Sequence, residues 1–531
     1  MLLSQHLRGG KGRSFWIGPL ATILNIFVED VMPLNLITDP WIPVLRRSGP
    51  DIIRPDQIAD PDVLRPDWPR PDLNLACMEL LIGLVYLACP PQGVGDWRAR
   101  RDVPGDLRRA MAPLAPAFNL TGDGPLFLQD LEPLVGDVTP PDMLFIDSAG
   151  GSTAKKNADL MVKRGRYLGL PLPLAAMALF TLQAFAPSGG AGNRTSMRGG
   201  GPMVTLVRPA AGNLWATVWA NVPEGRALAA DKLTALPWMR PTLTSETGAM
   251  VEQPGADFPV PELFFGMPRR LRLVIADDVA TGVVQRPWGT NYGAWRHPLS
   301  PYYALKPGEV PLPRHPKPGP FAYRNWMGIT LTTTSQTALP AQNVKLFDVR
   351  KGGDADILVA GWAMSNMSPL DFIWSEQPLF PLTDEAAMVA GDLVAAADHA
   401  ARALVGALKD ALGLAESDGT TLDRAREAFF QATQSRFEAA LRGMLKGEDE
   451  TGVKLAFWRV LVAQAEAQFN AAALPGLAQR DIIPRDVTAF SRRPTVARIV
   501  AAQRMLAGSL RGKKMREALA VEDLKLEREP A

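Results

Sequence analysis

The chain has 531 residues, too many for one ordinary hydrophobic core, so two or more domains are expected. Hydrophobic residues make up 47% and charged residues 21%, and the formal net charge of +2 excludes polyanion binding by bulk charge; only local concentrations of charge could do it. Two cysteines, Cys77 and Cys89, and four histidines exclude a disulfide framework and a convincing zinc site, and read as a reduced cytoplasmic protein with no metal and no cofactor.

In chain order, Arg8, Lys11 and Arg13 precede an apolar run from Phe15 to Val28 that resembles the first two regions of a signal peptide. No small-x-small cleavage site follows. The run holds Gly18, Pro19 and Asn25 and is short for a membrane span, so no membrane association is expected. A better start lies at Met32, which makes 1–31 an extension outside the fold, and "MPLNLITDPWIPV" reads as a first strand and turn. Residues 73–89 form a buried helix candidate, and "DMLFIDSAGG" (142–151) reads as a strand entering a loop. Residues 172–187 read as a helix stopped by Pro187, followed by a strand over Met203–Val207. The stretch 269–277 alternates like a strand, and eight prolines in 296–320 predict an extended loop.

After Pro381 the composition shifts. Residues 383–413 begin with Thr383 as N-cap and acids in the first turn. The next helix, 421–447, places Phe430, Phe437, Leu441 and Met444 on one face; 452–473 does so with Leu455, Trp458, Val462 and Phe469; 494–520 supplies a fourth. The fold class expected is α+β: a large mixed α/β domain with irregular loops over 32–381, then a C-terminal four-helix bundle over 382–531.

One stretch asks for a function, "APSGGAGNRTSMRGGGPMVTLVRP" (186–209). Six glycines fall between Gly189 and Gly201, with Arg194 and Arg198 among them and no carboxylate. Glycines free the main chain to approach an anion, and cations without acids favour one. Pro141–Ala210 carries eight Lys/Arg against three Asp/Glu, including Lys155, Lys156, Lys163 and Arg164; Arg485–Arg516 carries nine against one. Both segments suit a polyanion-facing surface. A P-loop is excluded, because no Lys follows the glycines at the required place and the loop leads into a strand. No metalloprotease or nucleophile-elbow motif occurs. Three readings stand on the residues alone: a nucleic-acid recognition subunit, an enzyme that holds a nucleotide phosphate in the glycine loop, and a scaffold with basic surfaces.

Five segments occur in order ahead of the bundle: "LNLITDPWIPV" (34–44), "IDSAGGSTAKKNADLMVKRG" (146–165), the glycine stretch, "AWRHPLSPYY" (294–303) and "GWAMSNM" (361–367). Together they resemble the large subunit of the type I-E CRISPR Cascade complex, the CasA family. The resemblance implies a non-catalytic subunit whose partners are crRNA, double-stranded target DNA, the backbone and small subunits of the complex, and a recruited helicase–nuclease. It implies that Ser188, Gly189, Gly190, Ala191 and Gly192 enter the minor groove at the duplex motif beside the target, the PAM. Small residues suit a groove about 6 Å wide. The family's lysine finger falls, by spacing back from Trp295, on Arg286, which keeps the charge but presents a wider planar fork. Its strand-separating wedge, with glutamine at the tip, falls on Met364, Ser365, Asn366 and Met367, with Asn366 in the glutamine's place. The loop that docks on the RNA 5′ end and a backbone subunit falls on Phe145–Asp159 and includes Lys155 and Lys156. Lys163, Arg164, Arg194 and Arg198 are expected as non-specific phosphate contacts. The cysteines that bind zinc in some members are lacking, so no metal is expected.

Overall fold

A computed structural model describes residues 33–148, 165–190, 192–210, 212–255, 260–330, 337–414, 419–480 and 495–521. Its first core is built around the helix Pro71–Ala88. Pro71 starts it, where a missing N–H is no loss, and everything from Leu73 to Leu87 except Asn74 is buried. Among the described residues this is the one helix long and apolar enough to cross a membrane, yet 83% of it is buried inside the fold. A helix apolar on all sides belongs in the middle of a core. A second apolar helix, Leu172–Phe185, packs against it and ends just before Pro187.

Four small sheets surround these helices. β1 (Ile42–Arg46) lies between β2 (Gly49–Ile53) and β3 (Val63–Pro66). β8 (Val279–Arg286) pairs with β4 (Val138–Thr139), β5 (Leu170–Pro171) and β7 (Arg270–Ala276). β9 (Tyr302–Tyr303) lies between β10 (Leu312–Pro313) and β11 (Ala338–Leu339), inside the proline-rich stretch and just beyond it. β12 (Ala355–Ser365) is central between β6 (Val204–Pro209) and β13 (Ser368–Leu379). All pairs in these sheets are antiparallel.

A second cluster of buried side chains occupies the C-terminal helices. Asp384–Leu412 runs through its centre, with an alanine-rich inner face that lets the neighbours approach closely. Thr383 caps it, accepting from the Ala386 N–H at 3.2 Å, and Gly413 ends it at φ 65°. Gly419–Leu445 and Glu450–Ala473 pack on it through Phe430, Phe437 and Leu441, and through Trp458, Val462 and Phe469; Met444 and Leu455 are half-buried. The upstream segment also enters this core: the Tyr323 ring stacks on Phe437 at 4.2 Å, and Trp326 is fully buried.

Two sequence expectations are corrected. Residues 142–151 do not begin as a strand: Pro141–Leu144 makes a single 3₁₀ turn, because Pro141 at the first helical position and Asp142 in the first turn favour a helical start. The fourth helix is two, Val496–Arg511 and Lys513–Leu519, broken where Gly512 takes an extended backbone.

Candidate nucleic-acid interface

The glycine stretch leaves the helix Leu172–Phe185 at Pro187 and enters β6 at Val204. Two backbone bonds close its base, Ser196 N–H to the Ala186 carbonyl at 3.0 Å and Gly201 N–H to the Phe185 carbonyl at 3.1 Å. Its tip is a smaller ring. Gly189 N–H donates to Asn193 at 3.3 Å, Asn193 N–H to Gly190 at 3.1 Å, and the Asn193 side-chain amide to the Gly189 carbonyl at 3.0 Å. Ser188, Gly189 and Gly190 are exposed. Gly190 has φ +92° with open space where a side chain would sit, so the outermost point of the ring is bare main chain.

Arg286 ends the strand that fastens to this tip, with its own side chain beside Gly136. The Gln285 side chain donates to Asn193 Oδ1 at 2.7 Å and the Trp288 N–H to the Gly192 carbonyl at 2.7 Å, which fastens the end of β8 to the loop. Trp288 takes φ 65°, a left-handed conformation that an aromatic residue adopts at a cost of about 1–3 kcal/mol. Opposite Arg286 in the ladder, Arg270 is neutralised by Asp130 at 2.6 Å. Arg286 itself is exposed and forms no ion pair among the described residues.

The third predicted element lies on the loop's other flank. Asn366 (φ 47°) and Met367 (φ 63°) form the two-residue turn joining β12 to β13, both in the left-handed region a tight hairpin turn needs. Ser365, Asn366 and Met367 are exposed; Met364 is half-buried. A side chain on Gly200 would meet Met367 Sδ at 3.0 Å and Met364 Sδ at 3.2 Å. The absent side chain at Gly200 therefore seats the hairpin tip against the loop. Residues from three distant stretches of sequence thus meet in the glycine stretch.

Other expected contacts are placed differently. Arg198 is 2% exposed. It donates from Nη2 to Glu79 Oε1 at 2.6 Å and from Nη1 to Ser300 Oγ at 3.2 Å, over the Phe185 ring. It is a pin from the loop into the core, its charge already met by Glu79, and is not placed to meet phosphate. Burial pushes the Glu79 carboxyl up, but Arg198 and His297 more than offset this and hold it below its ordinary value. Burial, helped by Arg198, pulls His297 down to about 4, so its ring is neutral at physiological pH. Arg194 is half-buried. It donates to Ser245 Oγ at 2.8 Å, its guanidinium lies 5.6 Å from the Trp288 ring centre, and Ser245 in turn donates to the Gly289 carbonyl at 2.6 Å.

Phe145 is also no exposed docking residue. It is 2% exposed, stacked on Tyr167 at 4.5 Å, with Arg70 and Arg166 over its ring. Asp147 accepts two bonds from Arg166, both 2.7 Å, and a third from Arg70 at 3.1 Å. These contacts tie Phe145 and Asp147 to Arg166 and Tyr167. An apolar aromatic between two arginines is worth more buried as a clasp than exposed. The expectations for Ala191, Lys155, Lys156, Lys163 and Arg164 fall outside the described residues, as does 1–31. Sequence reasoning missed Asn193, Gln285, Trp288 and Ser245, which shape the tip. Only Asn193 carried a signal, as a turn-forming residue directly after a glycine.

The profile of a family described as CRISPR-associated protein Cse1 matches residues 35–469. Solved structures share the fold. A crystal structure of CasA from Thermus thermophilus superposes with a TM-score of 0.66 at 19% identity, covering 90% of this chain and 99% of that one. Cse1 from Acidimicrobium ferrooxidans gives 0.62 at 20% identity, covering 92% and 99%. A chain from a structure described as a CRISPR RNA-guided surveillance complex gives 0.59 at 15% identity, covering 90% and 99%. With the profile spanning most of its length, this chain belongs to the Cse1 family, the large subunit of type I-E Cascade.

Proposed function

We propose that this chain is the non-catalytic DNA-recognition subunit of an RNA-guided surveillance complex in the cytoplasm. The glycine loop and Arg286 read the PAM through the minor groove of target duplex. The β12–β13 tip then starts strand separation, with Asn366 and Met367 entering beneath the first opened pair. The loop Phe145–Asp159, with Lys155 and Lys156, docks on crRNA and a backbone subunit, and the assembled surface helps recruit a helicase–nuclease.

The observation that carries this reading is that the end of β8 and the methionine-bearing turn both fasten to the glycine stretch, whose outermost point at Gly190 is exposed main chain, with the exposed Arg286 next to the fastened Gln285. Main chain and guanidinium can hydrogen-bond to base edges in a narrow groove. An apolar tip can unstack a base step, which costs a few kcal/mol. Minor-groove readout is degenerate, so tolerance of several PAMs follows.

Gly190→Asp tests it. The variant sets a carboxylate and a strained side chain on the tip. Affinity of the assembled complex for PAM-bearing duplex should fall more than about tenfold, or about 1.4 kcal/mol, while the fold survives because nothing packs on Gly190. Equal binding of PAM-bearing and scrambled duplex by the unaltered complex would rule the reading out. Turnover of a nucleoside triphosphate that Gly190→Asp abolishes would favour the enzyme reading instead.

A further inference from the structure

Eight residues other than glycine have a positive φ among those described. Asp277 and Asp278 make the turn between β7 and β8, Asn366 and Met367 make that between β12 and β13, and Lys351 and Ala520 follow helices. A left-handed residue is ordinary in such places. Leu128 is sealed in the core. That leaves Trp288, at φ 65° just after β8, where the chain meets the glycine loop. A bulky aromatic keeps this backbone only where its surroundings impose it.

Both main-chain polar groups of Trp288 are taken. Its N–H donates to the Gly192 carbonyl at 2.7 Å, and its carbonyl accepts from the Ser245 N–H at 3.2 Å. Ser245 is joined back to the loop: its Oγ accepts from Arg194 Nε at 2.8 Å, and its carbonyl accepts from Arg194 Nη2 at 3.3 Å. The same guanidinium lies over the Trp288 ring. Gly192, Arg194, Ser245 and Trp288 thus form a closed circuit, of which the loop supplies two members. A side-chain carbon on Gly192 would lie 3.0 Å from Trp288 N, 3.0 Å from Trp288 Cδ2 and 2.7 Å from Pro287 Cβ, so loop and turn are packed tightly on each other. On the far side, a carbon on Gly289 would lie 1.9 Å from the Pro268 carbonyl oxygen, which sets the turn hard against the chain just before β7.

We propose that Trp288 is a positioning residue for PAM reading. Its left-handed backbone holds the Gly192 carbonyl, and so sets the glycine tip in the conformation that meets duplex before duplex arrives. This rests on the reading that the tip meets duplex. A loop ordered in advance gives up no freedom on binding, so the gain falls on the contact that the tip itself makes, with PAM-bearing duplex. The ring keeps the strained backbone in place: with Arg194 over it and Gly192 against it, swinging it out breaks the circuit.

The test compares Trp288→Ala with Trp288→Gly in the assembled complex, titrated with PAM-bearing and with scrambled duplex. Both variants remove the ring and neither changes a charge. Alanine without the ring relaxes out of the left-handed region, whereas glycine occupies it at no steric cost. Trp288→Ala should lower affinity for PAM-bearing duplex about fivefold, and Trp288→Gly should recover most of that loss. Affinity for scrambled duplex and the salt dependence should stay native in both, since no phosphate contact is removed. A loosened fold would lower binding to the two duplexes together. Native binding by Trp288→Ala overturns the proposal, and so does an equal loss on both duplexes. A Trp288→Gly complex as weak as Trp288→Ala overturns it too, because the ring and not the backbone would then be what counts. Gly190→Asp in the same titration separates the two failures. If it weakens binding while Trp288→Ala is native, only the positioning role falls; if neither variant has any effect, the placement of the loop on duplex falls with it.

Discussion

Arg198→Met asks whether the glycine loop is pinned from inside the core. The Arg198 and Glu79 side chains are each 2% exposed and meet at 2.6 Å. The variant keeps most of the volume but strips Glu79 of its counterion, leaving a carboxylate beside a neutral His297. Bonds to Ser300 at 3.2 Å and the Ala184 carbonyl at 3.3 Å are lost as well. Breaking one side of such a pair costs about 3–5 kcal/mol. Glu79 has an escape, which is to take up a proton. In the native chain its pKa lies below the ordinary value; without Arg198 only His297 is left to oppose the burial that pushes it up. The native carboxylate thus adds stability above its unfolded pKa and loses it in acid, whereas a raised pKa in the variant reverses the sign.

Urea unfolding of the full chain at pH 5 and pH 8 reads this out. The loss on Arg198→Met should be largest at pH 8 and smaller at pH 5, where proton uptake relieves the orphaned carboxylate. Adding Glu79→Gln to Arg198→Met should recover part of the loss, as coupled neighbours do. A loss under about 1 kcal/mol, or one that disappears in high salt, would mean that Arg198 faces solvent and belongs with the phosphate contacts.

The His297 ring, held near pKa 4 against an ordinary 6.5, binds its proton in the unfolded chain first, so stability should fall as pH drops from about 6.5 towards 4, by about 3 kcal/mol in total; His297→Gln should flatten that part of a thermal-unfolding pH profile. Arg286→Ala should relax discrimination among PAM sequences by roughly 1–3 kcal/mol per lost base contact, measured by competition between duplexes, whereas a uniform loss would make it a phosphate contact. Asn366→Ala with Met367→Ala should leave duplex encounter nearly normal and slow strand opening, followed by permanganate reactivity; a target mismatched beside the PAM should rescue it, and equal slowing on matched and mismatched targets would remove the wedge role.

Local chemistry was legible in the sequence. Thr383 as a cap, the stop at Pro187 and the buried faces of the bundle helices depend on neighbours within a turn or two. What the sequence hid were side chains whose meaning depends on a distant partner. Arg198 reads as a surface cation until Glu79, 119 residues away, is found against it. Phe145 and Asp147 sit in a stretch rich in lysine and read as part of its exposed loop, because the Arg70 that helps bury them lies 77 residues upstream of Asp147. Arg269, buried with no carboxylate against it among the described residues, gave no sign at all, since a missing counterion has no sequence signature. The break at Gly512 was read through because one glycine inside a helix costs only about 1 kcal/mol relative to alanine, too little to end a strongly periodic pattern by itself.

The sheet explains how the tip reaches the loop. β6 begins where the glycine stretch ends, and Val204, its first residue, pairs with Ala360. β12 continues to Ser365, so five residues, 361–365, and their partners on β13 run past the end of β6. At about 3.3 Å per residue this overhang extends roughly 16 Å, as a two-stranded ribbon with no third strand beside it among the described residues. The register slips between Ala363 and Met364, a bulge that bends such a ribbon. The buried Trp362 and Ala363 hold the base of this ribbon to the core, and its tip is seated on the loop, where Gly200 and Gly201 leave room for Met364, Met367 and the Trp362 backbone. Trimming that seat with Met364→Ala should therefore loosen the tip from the loop without crowding Pro187, Gly190 or Arg286. On the proposed reading it should impair strand opening as the double tip variant does, and leave PAM-dependent encounter intact. A Met364→Ala complex that opens target at the native rate would show that the tip works free of the loop, and that their contact only packs the surface.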